Sequence, residues 1–266
     1  PGCILGLEGA PGMGKTTLAI AMAEAYGGGW TKIPIGSITH GTQISGDPAV
    51  HVASQPGLVA TGVRGMKSGQ GVIILDEVDK AGSGESADSQ SPVNALLEIL
   101  DFAQNHSFTD TNLGFPIDLS RMVIVVTMND RAKIDPIILN RIQTIVKVEN
   151  YTFQERLTIL REIMVPKYVS KTELNVVFHT TALKTILGLT PKEDKGMRPA
   201  ENTLKVVLSR LKLYDTFFRE GDTGGLSFQV SDYHVGEIPF EVTAETVNVL
   251  TAHIKPERQS FETLYT

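Results

Sequence analysis

The sequence predicts an α/β fold, a parallel sheet flanked by helices and followed by a smaller, mainly helical part. Three observations carry this. Apolar runs of strand length recur through the first 150 residues, helix-like stretches separate them, and the texture turns helical after residue 150.

The runs are CILGLEG (3–9), TKIPIGSI (31–38), GVIILDE (71–77), RMVIVVTMN (121–129) and QTIVKVEN (143–150). Continuous apolar runs suit strands buried on both faces, as in a parallel sheet covered by helices. Between the first two, KTTLAIAMAEAYGGG places Leu18, Met22 and Tyr26 on one helical stripe and ends in glycines that stop a helix. A doubly wound domain over residues 1–150 follows. A second domain, 151–266, opens with YTFQERLTILREIMVPK, where Thr152 as N-cap and Glu155 three residues later form a capping box. TALKTILGL and AENTLKVVLSRLKLYDTFFREG continue the helical pattern. PFEV then reads as a short strand, and TAETVNVLTAHI as a helix capped by Thr243. Two segments, AGSGESADSQSP (81–92) and EGDTGGLS (220–227), read as mobile loops.

Composition narrows the function. With 41% hydrophobic and 20% charged residues over 266 positions, the chain can bury a core. A net charge of −6 argues against a nucleic-acid surface, and no run of about 18 apolar residues is present to span a bilayer. The single cysteine, Cys3, excludes an internal disulfide and a cysteine-rich zinc site; at the head of a strand it is expected to be buried. His40 and His51 have no Cys or acidic partner at metal spacing, and no Ser–His–Asp arrangement stands out. The chain opens on Pro1 and runs straight into a strand-like segment, so it reads as a portion of a longer protein.

The chemistry concentrates in GAPGMGKT (9–16), which fits G-x-x-x-x-G-K-[ST] between a strand and a helix, as in P-loop NTPases. Gly9, Gly12 and Gly14, spaced by Ala10, Pro11 and Met13, let the backbone turn its N–H groups toward phosphates at a helix N-terminus, where Thr17 also lies. Lys15 can reach the β- and γ-phosphates and the Thr16 hydroxyl can ligate Mg²⁺, so the implied cofactors are ATP and Mg²⁺. VIILDEVDK ends a buried strand in two acids: Asp76 would hold Mg²⁺, usually through water, and Glu77 would polarise an attacking water. Two acids that merely cap a strand are the bland alternative, weakened by the phosphate loop. Asn129, after VIVVTM, can orient that water. Arg141 in DPIILNRIQTIV and Arg198 in KGMRPAENTL complete the candidates, although pattern alone leaves each equally a solvated arginine at a helix end.

Taken together, GAPGMGKTT, ILDEVDK, NALLEILDFAQNHSFTD, FPIDLSRMVIVVTMN, ILNRIQTI, YTFQERLTIL and MVPK resemble the AAA+ ATPase module of Lon proteases, in order and almost end to end. ALLEILDFAQN with the following F.D and PIDLS is more specific than the nucleotide motifs. The resemblance implies a P-loop NTPase (AAA+) sheet domain with a helical lid. It assigns Lys15 and Thr16 to Walker A, Asp76 and Glu77 to Walker B, and Asn129 to sensor 1. Arg141 falls at the arginine finger that reaches a neighbour's ATP, and Arg198 at sensor 2. It further implies a homo-oligomeric ring, a hexamer, that unfolds and translocates unfolded or damaged proteins in the cytoplasm or an organelle matrix, with neither membrane nor nucleic acid as partner.

Several departures from the family stand out. A peptidase domain with its Ser–Lys dyad is expected beyond Thr266, and the helical segment usual ahead of the first strand is missing. Pro199 replaces a helix-favouring residue, which a first helical turn tolerates. The substrate-gripping pore loop commonly reads RRTYIG before PG; the aligned residues here are 48–53 of GDPAVHVASQPG, with His51 at the aromatic, Val52 keeping the aliphatic and Ala53 replacing the glycine. Two other readings compete. One is an AAA+ remodeller or nucleic-acid motor unconnected with proteolysis, for which Arg64 and Lys67 are the basic candidates. The other is a non-hydrolysing scaffold, against which all the hydrolytic positions are filled.

Overall fold

In the computed structural model, residues 2–66, 69–81, 91–191 and 193–252 are described. Lys67, most of the loop at 81–92 and the end of the last expected helix (253–254) lie outside them. The chain divides into two compact units, at Glu149 and Asn150.

The first unit is built on a five-stranded sheet of β1 (Cys3–Glu8), β2 (Trp30–Pro34), β3 (Val72–Asp76), β6 (Val123–Met128) and β7 (Thr144–Lys147). The short pair β4 (Phe108–Thr109) and β5 (Pro116–Ile117) is antiparallel and separate. Spatial order is β2-β3-β6-β1-β7, and every neighbouring pair is parallel. The period-two geometry of a strand assigns alternate residues to opposite faces. Ile73, Leu75, Ile124, Val126 and Met128 enter one core, while Val72, Ile74 and Val125 enter another. The central runs are therefore buried on both faces. The two edge strands are not, since most residues of β2 and β7 are at least partly exposed. The second apolar run stops early as a strand: after Pro34 the chain turns into a 3₁₀ segment, Ile35–Ser37.

One face is covered by α1 (Lys15–Tyr26), with Lys15, Ala19 and Ala23 buried. The stripe Leu18, Met22 and Tyr26 faces outward instead. Small side chains permit close helix–sheet approach, so the alanines take the inner face although the larger residues carry the apolar signal. The opposite core receives α2 (Thr42–Ser45), α3 (Leu58–Arg64), α4 (Pro92–Leu100) and α5 (Pro136–Leu139). Cys3 begins β1 as expected but is exposed: it shares a face with Leu5 and Leu7, and burial on that face is complete only toward Leu7.

The second unit starts with α6 (Phe153–Ile159), whose Thr152 and Glu155 form the reciprocal capping box. The helix passes through a π-helical stretch, Leu160–Met164, into α7 (Val165–Val169). Pro166 has no N–H to give and its ring crowds the preceding turn, which accounts for the widened ladder just before it. Then come β8 (Val176–Phe178), α8 (Thr180–Gly188), α9 (Arg198–Glu220), β9 (Phe240–Val242) and α10 (Ala244–Thr251), capped by Thr243. Strands β8 and β9 pair in parallel. Pro199 occupies the first turn of α9, and Gly221 closes it in the left-handed conformation. Their core gathers Leu183, Ile186, Leu204, Leu208, Leu211, Val247 and Leu250 around the helices.

Candidate functional site

The loop 9–14 leaves the C-terminal end of β1 and enters α1. Gly12 and Gly14 both have φ of 77°, a left-handed conformation that a side chain disfavours. A Cβ at Gly9 would lie 2.7 Å from the Val148 carbonyl oxygen, so the loop start can pass β7 only as glycine. Gly9 N–H donates to Met128 O (3.2 Å), which ties the loop to β6. Along this path Ala10, Pro11 and Thr17 are exposed and Met13 is buried.

Lys15 is buried, and its ammonium donates to Gly9 O (2.6 Å), Ala10 O (2.9 Å) and the side-chain oxygen Oδ1 of Asn129 (3.0 Å). The cation thus lies inside the loop that the glycines shape, beside the residue that follows β6. The next residue, Thr16, donates its hydroxyl to Asp76 Oδ1 at 2.8 Å. Asp76 ends β3, and its other oxygen lies 3.6 Å from Lys32 Nζ on β2. Three parallel strands therefore deliver Lys15, Thr16, Asp76, Glu77 and Asn129 to one sheet edge, their C-terminal ends, where α/β sheets bind ligands. Thr16 and Asp76 offer hard oxygen donors side by side, a fit for Mg²⁺.

Glu77 has φ 61° and ψ 49°, an uncommon conformation for a residue with a side chain. Its carboxylate accepts from Lys80 Nζ at 2.6 Å and lies against Gly36, where a Cβ would come within 2.7 Å of Oε2. Nearby, Asp79 is buried and its Oδ1 has no hydrogen-bond partner among the described residues. The residue that joins the two acids is one the sequence reading missed. Thr127, 1% exposed within β6, donates to Asp76 Oδ1 (2.6 Å) and accepts from Glu77 N–H (3.0 Å). Its only signal is a hydroxyl inside the apolar run VIVVTMN. Lys32 and Lys80 carried no signal at all, since a lysine at a strand edge or in a turn is ordinary surface chemistry.

Four candidates remain. Arg141 follows α5 and pairs through Nη1 with Asp101 Oδ2 at 3.0 Å. Arg198 is an exposed residue at the start of α9 in the second unit. His51 and Val52 are exposed at the tip of the 46–57 loop, with Val52 100% exposed and Val50 87%. Ala53 adopts φ 62°, an uncommon conformation for a residue with a side chain. The stems of this loop are anchored by residues not anticipated. Asp110 Oδ2 accepts from Gly57 N–H (2.8 Å), and Asn112 Nδ2 donates to Asp47 O (3.1 Å) and Ser54 Oγ (3.0 Å). Asp110 is fully buried. No helix of the described residues is long and apolar enough to cross a membrane, and no group of three metal-binding side chains occurs among them.

Comparison with known proteins agrees with this geometry. Lon protease of Dictyoglomus thermophilum is 32% identical over 213 residues, 79% of this chain and 26% of that protein. The peroxisomal Lon protease homolog 2 of Mus musculus is 35% identical over 185 residues, 68% of this chain and 21% of that protein. The chain thus spans about a quarter of the length of the curated relatives it matches. A closed-state cryo-electron microscopy structure of Hsp104 with ATPγS and FITC casein superposes with a TM-score of 0.63 at 18% identity, covering 81% of this chain and 41% of that one; this likeness concerns the fold. The sequence profile of the ATPase family associated with various cellular activities (AAA) matches residues 5–150, more than half of the chain and all of the phosphate-loop cluster. With that match the chain belongs to the AAA family of ATPases.

Proposed function

We propose that this chain is the ATP-hydrolysing module of a Lon-like protease and that it unfolds and translocates protein substrates through a ring pore. The observation that carries the reading is the meeting of Lys15, Thr16, Asp76, Glu77 and Asn129 at one edge of the sheet. The loop N–H groups and Lys15 bind the phosphates. Thr16 and Asp76 would hold Mg²⁺, and the ion would supply positive charge against the phosphate oxygens. Glu77 takes a proton from the attacking water, and Asn129 orients that water. Lys80 occupies Oε2 at 2.6 Å, so Oε1 is the oxygen left to take that proton.

Arg141 acts on the nucleotide of a neighbouring copy, Arg198 serves as sensor 2, and His51 with Val52 grips the polypeptide. The likeness to Lon proteases over most of this chain and the exposure of the loop tip support these roles. The hexamer, the unfolded substrates and a peptidase activity in the whole protein belong to the same proposal.

Glu77→Gln tests the chemistry. In the full-length protein it should retain ATP binding and lower turnover by about 10²–10⁴-fold, the contribution of a general base. Normal turnover in that variant refutes the assignment. Stimulation of turnover by unfolded protein supports the substrate class. Stimulation by DNA alone, with steep salt dependence, would point to a nucleic-acid motor.

A further inference from the structure

LLEILDFAQN carries the most specific part of the sequence resemblance, yet none of its residues belongs to the phosphate cluster. Asp101 sits where α4 ends, with φ −94° and ψ 106°. Its main-chain carbonyl accepts from the N–H groups of Gln104 (3.0 Å) and Asn105 (2.8 Å), and its Oδ1 accepts from Ala103 N–H (2.9 Å). Three bonds from the following turn fix this residue. The remaining oxygen, Oδ2, faces Arg141 Nη1 at 3.0 Å. The carboxylate side chain is 11% exposed and that of Arg141 41%. One end of the pair is therefore anchored in the fold while the other opens to solvent.

We propose that Asp101 is a positioning residue for Arg141. Its carboxylate holds the guanidinium at the surface in the orientation that meets a phosphate bound by a neighbouring copy. The inference rests on the reading of Arg141 as acting in trans. A guanidinium is a rigid fork with five N–H donors, so one nitrogen on Asp101 leaves others to donate across an interface. The anchor also limits the conformations of a long side chain before the neighbour arrives, and orientation errors of about 1 Å can cost on the order of 10² in rate.

Two variants of the full-length protein separate the claims when mixed. Arg141→Ala subunits keep a working phosphate site without the arginine. Glu77→Gln subunits keep the arginine without turnover. Co-assembled, they should hydrolyse ATP faster than either alone, because each active site borrows an arginine. Adding Asp101→Asn to the Glu77→Gln subunits should then lower the restored kcat on the order of tenfold, with a much smaller change in KM. Asp101→Glu at the same place should recover part of the loss. Adding Asp101→Asn to the Arg141→Ala subunits, where there is no arginine to position, should change the restored rate by less than about twofold. Equal losses from both placements overturn the proposal and leave Asp101 as a cap of α4. Failure of the parent mixture to gain activity, with co-assembly verified by cross-linking, overturns the trans reading of Arg141 and the proposal that depends on it.

Discussion

Thr127 shows how a single hydroxyl can organise two acids. It donates to Asp76 and accepts from Glu77 N–H, which pins the left-handed peptide of Glu77 beside the oxygen proposed for Mg²⁺. Thr127→Val keeps the shape and deletes both bonds. A buried group left without its partner costs about 1–3 kcal/mol, and here two groups lose one. The Mg²⁺ concentration for half-maximal ATPase should rise several-fold in Thr127→Val, on the order of that energy, and stay near wild type in Thr127→Ser. An unchanged Mg²⁺ titration contradicts the role. The contrast with Lys15, Thr16 and Asp76 is physical. Those residues were legible because glycine spacing and strand-end acids have few other uses, whereas threonine in a β-run is an ordinary strand former. Ala53 is a second residue-scale case. Its replacement of glycine was visible in the sequence, but its φ of 62° was not. Relief of the left-handed strain by Ala53→Gly should be worth about 1 kcal/mol in loop stability, within the 1–2 kcal/mol typical of such residues.

At the scale of elements, the 46–57 loop has a solvated tip and a fixed base. Asp110 and Asn112 reach it from a segment more than fifty residues away, and Thr111 N–H donates to Ser45 O at 2.7 Å on the same side. Asp110→Asn replaces an acceptor oxygen by an amine facing the Gly57 N–H. Amide exchange across 46–57 should accelerate, and an unchanged exchange pattern would show that the base holds without Asp110. Such a clamp is invisible in one sequence, because it depends on tertiary proximity and both residues read as turn formers. Helix α1 misled for a related reason: its outward stripe carries the larger apolar residues and its inward stripe only Lys15, Ala19 and Ala23. The capping box of α6 was readable, being local. There Thr152 donates to Glu155 through both its N–H and its hydroxyl, and these bonds hold the carboxyl below its usual range. The depressed value means the folded state resists protonation, so this stabilisation is complete at neutral pH and fades on acidification. Amide protection in the first turn of α6, measured against the intrinsic exchange rate at each pH, should fall as the pH drops below about 4, the ordinary range for glutamate. No change there would place the cap's strength elsewhere.

Across the whole molecule, the parallel sheet flanked by helices and the family were legible, since each depends on patterns carried by many residues at once. The edge strands, the exposed Cys3 and the ion-pair partners Asp101 of Arg141 and Lys80 of Glu77 were not, because they are set by which neighbours the fold happens to lack or provide. The proposal at this scale is an ATP-driven pull on a polypeptide, delivered by the tip of the 46–57 loop. His51 buries less apolar area than a phenol ring, so His51→Tyr should maintain or raise substrate-stimulated ATPase. The most direct test is the amount of a folded protein substrate unfolded per ATP hydrolysed by the full-length protein carrying His51→Ala and Val52→Ala. Burial of one valine-sized side chain is worth about 1.5–3 kcal/mol, so the ratio should fall on the order of tenfold or more. A ratio equal to that of the wild type would contradict the account.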